Sequence, residues 1–112
     1  MGYRASHRFA RISPQKAGQV MTMIRGKPLE EALRAVDFNP RRAAKMVGKL
    51  LRSAMANADE QEADLELLYV ADARADQGPA LRRLSPRARG GADILHRPTC
   101  HLSVELEEAA EA

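Results

Sequence analysis

Three segments of the chain are predicted to be β-strands, two of them from the alternation of apolar and polar residues. The clearest is Thr99–Glu107, in which every second side chain is apolar. Its predicted buried face consists of Cys100, Leu102, Val104 and Leu106. Tyr3–Ile12, with less regular alternation, and Leu67–Ala75 are predicted to be strands as well.

Apolar residues at spacings of three and four predict two helices after the first strand. Ser13 and Pro14 are the expected N-cap and first position of the first helix, and Gly26 ends it as a left-handed cap. Pro28 opens a shorter helix with acids in its first turn, where the helix dipole favours negative charge. Its predicted buried side consists of Leu29, Leu33 and Val36.

The longest predicted helix begins at Asn39-Pro40, where the cap-then-proline signal is repeated, and continues to about Asp59. Its apolar face consists of Val47, Leu50, Leu51, Ala54 and Ala58. Another side is basic and carries Arg42, Lys45, Lys49 and Arg52, with Arg41 beside them. This stripe is either an ordinary solvated face or a track for a phosphate backbone. Because the helix has almost no acids to pair with the stripe, we favour nucleic acid.

The segment Gly78–Gly91 is strongly basic and has little apolar surface. Its sequence is GPALRRLSPRARGG, with four arginines, no acid and no aromatic residue. Such a segment cannot fold by packing on itself. Because strand-like sequence flanks it on both sides, we expect it to be the long loop of an antiparallel pair. A solvated, flexible loop is the alternative, but the guanidinium fork favours phosphate oxygens as partners.

The charges are segregated along the chain. The 112 residues carry a net charge of only +3. Residues 1–58, however, hold twelve Lys and Arg against three acids, and residues 59–77 hold seven acids against one Arg. This distribution predicts one surface that faces a polyanion and another that faces solvent. The length is sufficient for one domain with a modest core.

Several kinds of chemistry are not expected from this sequence. The single Cys100 excludes an internal disulfide and any zinc site built on a cysteine pair. His96, Cys100 and His101 are close in sequence but lack a fourth ligand, so neither a metal nor a cofactor is predicted. No apolar run approaches the roughly 20 residues of a membrane span. No P-loop, catalytic carboxylate pair or activated nucleophile is recognisable, so an enzyme is not expected.

Short motifs distributed over the whole chain are similar to those of one protein family. They are RISPQKA at 11–17, IRGK at 24–27, SAMANA at 53–58, GP at 78–79, PRARG at 86–90, AD at 92–93, and Thr99 with His101. In this order and at this spacing, the chain resembles the bacterial large-ribosomal-subunit protein L-twenty-two family (universal family uL-twenty-two). Each motif is weak alone, but together they are highly specific.

The resemblance implies an α+β fold, with three helices packed on a small antiparallel sheet and a long protruding β-hairpin. It implies a single domain over residues 1–112, with a globular part at about 1–77 and 99–108 and the hairpin at about 78–98. The acidic tail, 109–112, is expected to fray. In that family the protein is a structural constituent of the large ribosomal subunit that binds large-subunit ribosomal RNA during assembly.

The resemblance also implies partners. The hairpin would line the nascent-peptide exit tunnel near the family's partner, protein L-four. Expected partners are therefore large-subunit ribosomal RNA, neighbouring large-subunit proteins including L-four, and the nascent peptide. The location would be the ribosome in the cytoplasm, with no membrane contact and no self-association.

Two sets of site residues are predicted from the resemblance and from the helix stripe. The RNA-contacting set is Arg11, Lys16, Arg25, Lys27, Arg42, Lys45, Lys49, Arg52, Arg82, Arg83, Arg87, Arg89, Arg97 and His101. The tunnel-lining hairpin tip is Arg82, Arg83, Leu84, Ser85, Pro86, Arg87, Ala88, Arg89, Gly90, Gly91 and Ala92. Asn57 and Asp93 are expected to fix local backbone instead.

Four positions depart from the family pattern. Gln77 stands where an acid is usual, and Gly91, His96 and Pro98 stand where the family is often basic. The returning arm of the hairpin is therefore expected to be less basic. Pro98 has no N–H and is expected at an unpaired edge or a bulge.

A small DNA-binding regulator is the alternative function, with the helix Pro40–Asp59 as its recognition element. This helix has few Asn or Gln residues to read bases. The long basic arm would also have no role in such a protein.

Overall fold

The computed structural model describes residues 2–86 and 88–109. A central antiparallel sheet contains β1 (Tyr3–Ala10), β2 (Leu68–Gln77) and β5 (Cys100–Glu108). Their order across the sheet is β1–β5–β2, so the strand with the clearest alternation in sequence is the central one. As predicted, β2 and β5 are an antiparallel pair.

Three helices pack on one face of this sheet: α1 (Pro14–Ile24), α2 (Leu29–Asp37) and α3 (Arg42–Glu60). α1 begins as predicted, since the Ser13 hydroxyl accepts a hydrogen bond from the N–H of Lys16 at 3.3 Å. Gly26, just after α1, has the expected left-handed conformation, with a φ of +81°. Its N–H donates to the carbonyl of Val70 at 2.9 Å, so this turn ties the end of α1 to β2.

The start of α3 differs from the prediction by two residues. Arg41, not Asn39, is the N-cap, and it makes no side-chain capping bond. The Asn39 side chain instead accepts a hydrogen bond from the N–H of Arg41 at 3.0 Å. Such a local turn competes with helix capping for the same amide oxygen. The predicted N-cap was therefore wrong, whereas the predicted apolar face of α3 is buried throughout.

The core lies between the helices and the inner face of the sheet. Alternate residues of β5 are buried as predicted: Cys100, Leu102, Val104 and Leu106. The prediction for α2 was partly wrong, because Leu29 and Val36 are buried but Leu33 is only half-buried. Ala32 lies in the core beside them. A pattern based on large apolar residues overlooks a small residue that faces the core.

β1 ends at Ala10, two residues before the predicted end. Its pairing with β5 shifts register between His7 and Ala10, and Phe9 within this bulge has a φ of +58°. The N–H of Ile12 then donates to the carbonyl of Ala10 at 2.9 Å, which turns the chain toward α1. A bulge inserts an extra residue into a strand and is not visible in the alternation of the sequence.

The arm forms a second, two-stranded antiparallel sheet. It consists of β3 (Leu81–Pro86) and β4 (Ala92–Arg97), which connect the adjacent ends of β2 and β5. The molecule measures 69 × 24 × 17 Å and has a radius of gyration of 17.2 Å. A compact chain of this length would have a radius of gyration of about 13 Å. The predicted α+β fold with a protruding hairpin is confirmed.

The acidic end of the chain begins next to the sheet. The N–H of Ala109 donates to the carbonyl of Leu67 at 2.7 Å. The first residue of the predicted frayed tail is therefore hydrogen-bonded, and residues 110–112 lie outside the described residues.

Candidate nucleic-acid interface

The faces of the hairpin combine arginine and apolar side chains that are open to solvent. Across the β3–β4 ladder, Arg82 is opposite His96, and Leu84 is opposite Ile94. Pairs two positions apart share a face, so these four side chains lie on the same side. Leu84 is 76% exposed and Ile94 is 55% exposed. This face therefore offers cations for phosphate and uncovered apolar surface for flat or apolar groups.

The other face of the hairpin has the same character. Arg83 is opposite Leu95, and Leu81 is opposite Arg97. Three of these side chains are exposed and Leu81 is half-buried. An arginine-bearing ribbon with two solvated faces can be contacted from both sides at once, which suits insertion between two partner segments.

The distal turn of the hairpin brings backbone strain and positive charge together. Arg89 has a φ of +64°, and Gly90 has a φ of +76°. Glycine adopts this conformation without strain, whereas arginine rarely does. Within the predicted tip, residues 82–86 belong to β3 and Ala92 begins β4, so the turn itself is short. Arg87, predicted in both site sets, lies outside the described residues.

The base of the hairpin is fixed by a small junction between the two sheets. The N–H of Gly78 donates to the carbonyl of Thr99 at 3.0 Å, and the buried Thr99 hydroxyl donates to the carbonyl of Pro79. A Cβ atom on Gly78 would lie 2.7 Å from the Thr99 hydroxyl oxygen, which explains the need for glycine. Pro98 lies between β4 and β5, outside both strands, which agrees with its missing N–H. The junction sets the direction in which the hairpin leaves the globular part.

The predicted basic stripe of α3 is exposed along its length: Arg42, Lys45, Lys49 and Arg52. One member has an acidic partner that the helix sequence alone did not reveal. A guanidinium nitrogen of Arg52 lies 2.7 Å from a carboxylate oxygen of Asp37 on α2, and both side chains are about half exposed. An exposed pair of this kind contributes little stability. Arg52 therefore has a partner in the free protein, contrary to the expectation of an unpaired stripe.

Two other predicted contacts have structural roles in the free protein. The Arg25 guanidinium donates two hydrogen bonds to the carbonyl of Ala73, at 2.6 and 3.3 Å, and so holds the end of α1 against β2. The His101 Nδ1 accepts a hydrogen bond from the N–H of Phe9 at 3.0 Å. The two rings also pack edge to face, with centroids 4.8 Å apart. His101 thus supports the bulge in β1.

The remaining predicted residues differ in exposure and in their neighbours. Arg11 and Lys16 are exposed, and Lys27 is half-buried. The structure brings Lys16, Arg42 and Arg97 together as part of the lining of one groove. Arg25 lines a different groove, together with Arg74 and Asp76. The predicted residues therefore do not all form one surface.

Acidic side chains gather at the opposite end of the sheet from the hairpin. The Tyr69 hydroxyl donates to Glu107 at 3.1 Å, and this hydrogen bond raises the tyrosine pKa above its ordinary value. The Tyr3 hydroxyl donates to Glu108 at 3.2 Å, and its pKa is raised by partial burial and then by this bond. The two tyrosines hold these carboxylates at the far end of β5. These two carboxylates therefore lie far from the base of the hairpin, although Asp76 lies near it.

Sequence reasoning missed two exposed residues near the start of α3. Arg41 was noted beside the stripe but not included among the site residues, and it lines the same groove as Lys16. Phe38 follows α2 and is 86% exposed. An exposed aromatic ring is a surface on which a nucleic-acid base can stack. No sequence signal marked Phe38, because an apolar residue beside an amphipathic helix is expected to be inside.

Asn57, which was expected to fix local backbone, bonds the backbone of another element. The Asn57 side-chain amide donates to the carbonyl of Arg4 at 3.0 Å, which joins α3 to β1. Among residues 2–86 and 88–109, no group of three or more His, Cys, Asp or Glu side chains is placed to hold a metal ion. In the same part of the chain, no helix is long and apolar enough to cross a membrane.

Comparison with known families gives a match over nearly the whole chain. The family model described as Ribosomal protein L22p/L17e matches residues 5–107, from β1 through the helices and hairpin to β5. The chain belongs to the ribosomal protein L22p/L17e family. The predicted family is confirmed, and an L22p/L17e protein is a structural protein of the ribosome, not an enzyme.

Individual L22p/L17e relatives support this assignment. The large ribosomal subunit protein uL22 of Thermoanaerobacter sp. (strain X514) is 45% identical over 109 residues, 96% of this chain and 98% of that protein. The protein of the same name from Carboxydothermus hydrogenoformans is 45% identical over 112 residues, 99% of both chains. That of Geobacter sulfurreducens is 46% identical over 101 residues, 89% of this chain and 91% of its own length. The similarity therefore includes the hairpin as well as the globular part.

Proposed function

We propose that this protein is a structural constituent of the large ribosomal subunit that binds large-subunit ribosomal RNA during assembly. Its place would be the ribosome in the cytoplasm, beside neighbouring large-subunit proteins. The observation that carries the proposal is the hairpin, a basic two-stranded ribbon that is exposed on both faces. An isolated two-stranded hairpin is marginally stable in water, so this one requires a partner that covers it.

The chemistry of the exposed surface favours RNA as that partner. Arginine forks on the hairpin pair with phosphate oxygens, while uncovered apolar side chains such as Leu84 and Ile94 can contact unstacked bases. The exposed cations of α3 extend the basic surface onto the globular part. Family membership supports ribosomal RNA as the specific partner.

We further propose that the distal end of the hairpin lines the nascent-peptide exit tunnel near protein L-four. The elongated shape supports this role, because a ribbon can pass between RNA segments and present its tip far from the globular part. The strained turn at Arg89 and Gly90 would then border the tunnel and contact the nascent peptide. The predicted tip, from Arg82 to Ala92, includes this turn.

Salt dependence tests the RNA-binding part of the proposal. We expect filter binding of the full chain to large-subunit ribosomal RNA to weaken steeply with salt. Each neutralised phosphate contributes roughly −0.7 to −0.9 to the log–log slope. Replacing both Arg82 and Arg83 by Gln should lower the slope and the affinity. A response to salt that is flat in the unmodified protein would contradict phosphate-dominated binding. Tighter binding to duplex DNA would favour the regulator interpretation.

Photo-crosslinking tests the tunnel part separately. A crosslinker at Ser85 or Ala88, near the distal turn, should capture ribosomal RNA and, in translating ribosomes, the nascent chain. Glu66, an exposed residue between α3 and β2, is the matched control and should capture neither from the tunnel. Crosslinks from Ser85 and Ala88 to solvent-side proteins alone would show that the hairpin lies on the ribosome surface.

A further inference from the structure

A groove of about 720 Å³ lies where the start of α1, the start of α3 and the base of the hairpin meet. Four cationic side chains belong to its lining: Lys16, Arg41, Arg42 and Arg97. None of the described residues that line it is Asp or Glu. Three segments that are distant in sequence thus place positive charge around one concave surface without a neutralising carboxylate.

Cations of α1 and α3 line the same groove, and Arg41 is bonded to a residue of α1. The Arg41 guanidinium donates a hydrogen bond to the side-chain oxygen of Gln19 on α1. Lys16 lies one helical turn before Gln19, so Lys16 and Gln19 occupy the same face of α1. Like charges held together in this way repel each other, and a bound anion between them would remove that repulsion.

The helix ends at this groove add to its positive potential. α1 and α3 both begin here, and neither has an acid in its first turn. The N-cap residue of α3 also makes no side-chain capping hydrogen bond. The positive ends of the helix dipoles therefore support the four side chains. They are a secondary contribution beside the side-chain charges.

We propose that this groove binds the RNA backbone and that Lys16 and Arg41 share one phosphate within it. The inference rests on the proposed RNA-binding function and names a site for it. Arg42 is also the first residue of the α3 stripe, and Arg97 ends β4. A backbone seated in the groove can continue along α3 on one side and along the hairpin on the other. This continuity favours RNA over an acidic segment of a neighbouring protein.

Sharing of a phosphate makes a specific prediction for the salt dependence of binding. Counterions are released for each phosphate neutralised, not for each cation that contacts it. In full-length protein, Lys16→Gln or Arg41→Gln alone should weaken binding to large-subunit ribosomal RNA with little change in slope. The double variant should lower the slope by about 0.7–0.9, the value for one phosphate. Both side chains are exposed and Arg41→Gln removes only one exposed hydrogen bond, to Gln19, so thermal midpoints should change little.

Arg34→Gln is the matched control, because it removes one exposed cation on α2 outside the groove. It should leave both affinity and slope unchanged. If Lys16→Gln and Arg41→Gln each lower the slope by the full amount, the two residues contact separate phosphates and the shared site is refuted. An unchanged double variant would also refute the site and would fit an acidic protein occupant. Absence of binding by the unmodified protein would instead refute the proposed function and this site with it.

Discussion

Two leucine-to-alanine substitutions would test whether the hairpin is energetically separate from the globular part. Leu51 on α3 is fully buried, at 0% exposure, whereas Leu84 on β3 is 76% exposed. Leu51→Ala removes three buried carbons, and at about 0.8 kcal/mol each their transfer contributes about 2.4 kcal/mol. The cavity adds to this loss, so we expect the free energy of unfolding to fall by about 3–5 kcal/mol.

Leu84→Ala removes the same three carbons from a side chain that is already largely in water. We therefore expect its cost to be below about 0.5 kcal/mol. Urea denaturation followed by far-ultraviolet circular dichroism measures both variants. With a slope of about 1.5 kcal/mol per molar urea, a loss of about 3 kcal/mol lowers the midpoint by about 2 M.

Comparable losses in the two variants would refute this interpretation. They would mean that the hairpin folds back onto the core of the free protein and buries Leu84 there. A small loss for Leu51→Ala would mean that the core has been assigned to the wrong face of α3. Equal slopes with respect to urea in both variants would show that each unfolds as a similar cooperative unit.

Three further predictions concern single residues. Lys49→Ala should change the free energy of unfolding by less than about 0.5 kcal/mol, yet weaken RNA binding in a filter assay. A clear loss of stability, or unchanged RNA binding, would contradict the role of Lys49 as an exposed RNA contact. Gly78→Ala places a Cβ 2.7 Å from the Thr99 hydroxyl oxygen and should lower stability by about 1–3 kcal/mol as overpacking, whereas a neutral result in urea denaturation would show that the junction is loose. Burial raises the pKa of the Cys100 thiol, so the native protein should react with iodoacetamide far more slowly than the unfolded protein. The buried neutral thiol should contribute fully to stability below the ordinary thiol pKa, and this contribution should decrease as pH rises above that value. Urea denaturation of Cys100→Ala should not show the decrease.

Local features of the fold could be predicted because short stretches of sequence encode them. The Ser13 cap depends on a hydroxyl and an N–H three residues apart, and the alternation of β5 depends on neighbours two residues apart. The prediction failed where one local signal is compatible with two different backbone structures. Asn39 carries the oxygen of a good N-cap, but it closes a turn before the helix instead.

The candidate site was predictable in composition but not in arrangement. The arginine-rich arm is evident in the sequence, since a basic segment with little apolar surface needs an outside partner. The sequence could not show that the Arg25 guanidinium bonds the carbonyl of Ala73, or that His101 supports Phe9. These contacts join residues far apart in the chain, and no periodic pattern records them.

The sequence by itself determined the elements, the family and the basic character of the arm, because periodicity, caps and composition act over a few neighbouring residues. Only the tertiary structure decided which cations share a surface. Lys16, Arg41 and Arg97 meet because the packing of α1 and α3 on the sheet, and the Gly78–Thr99 junction at its edge, fix their positions. The physical reason is that burial of the common core fixes the orientation of these elements. The positions of their exposed charges follow from that orientation.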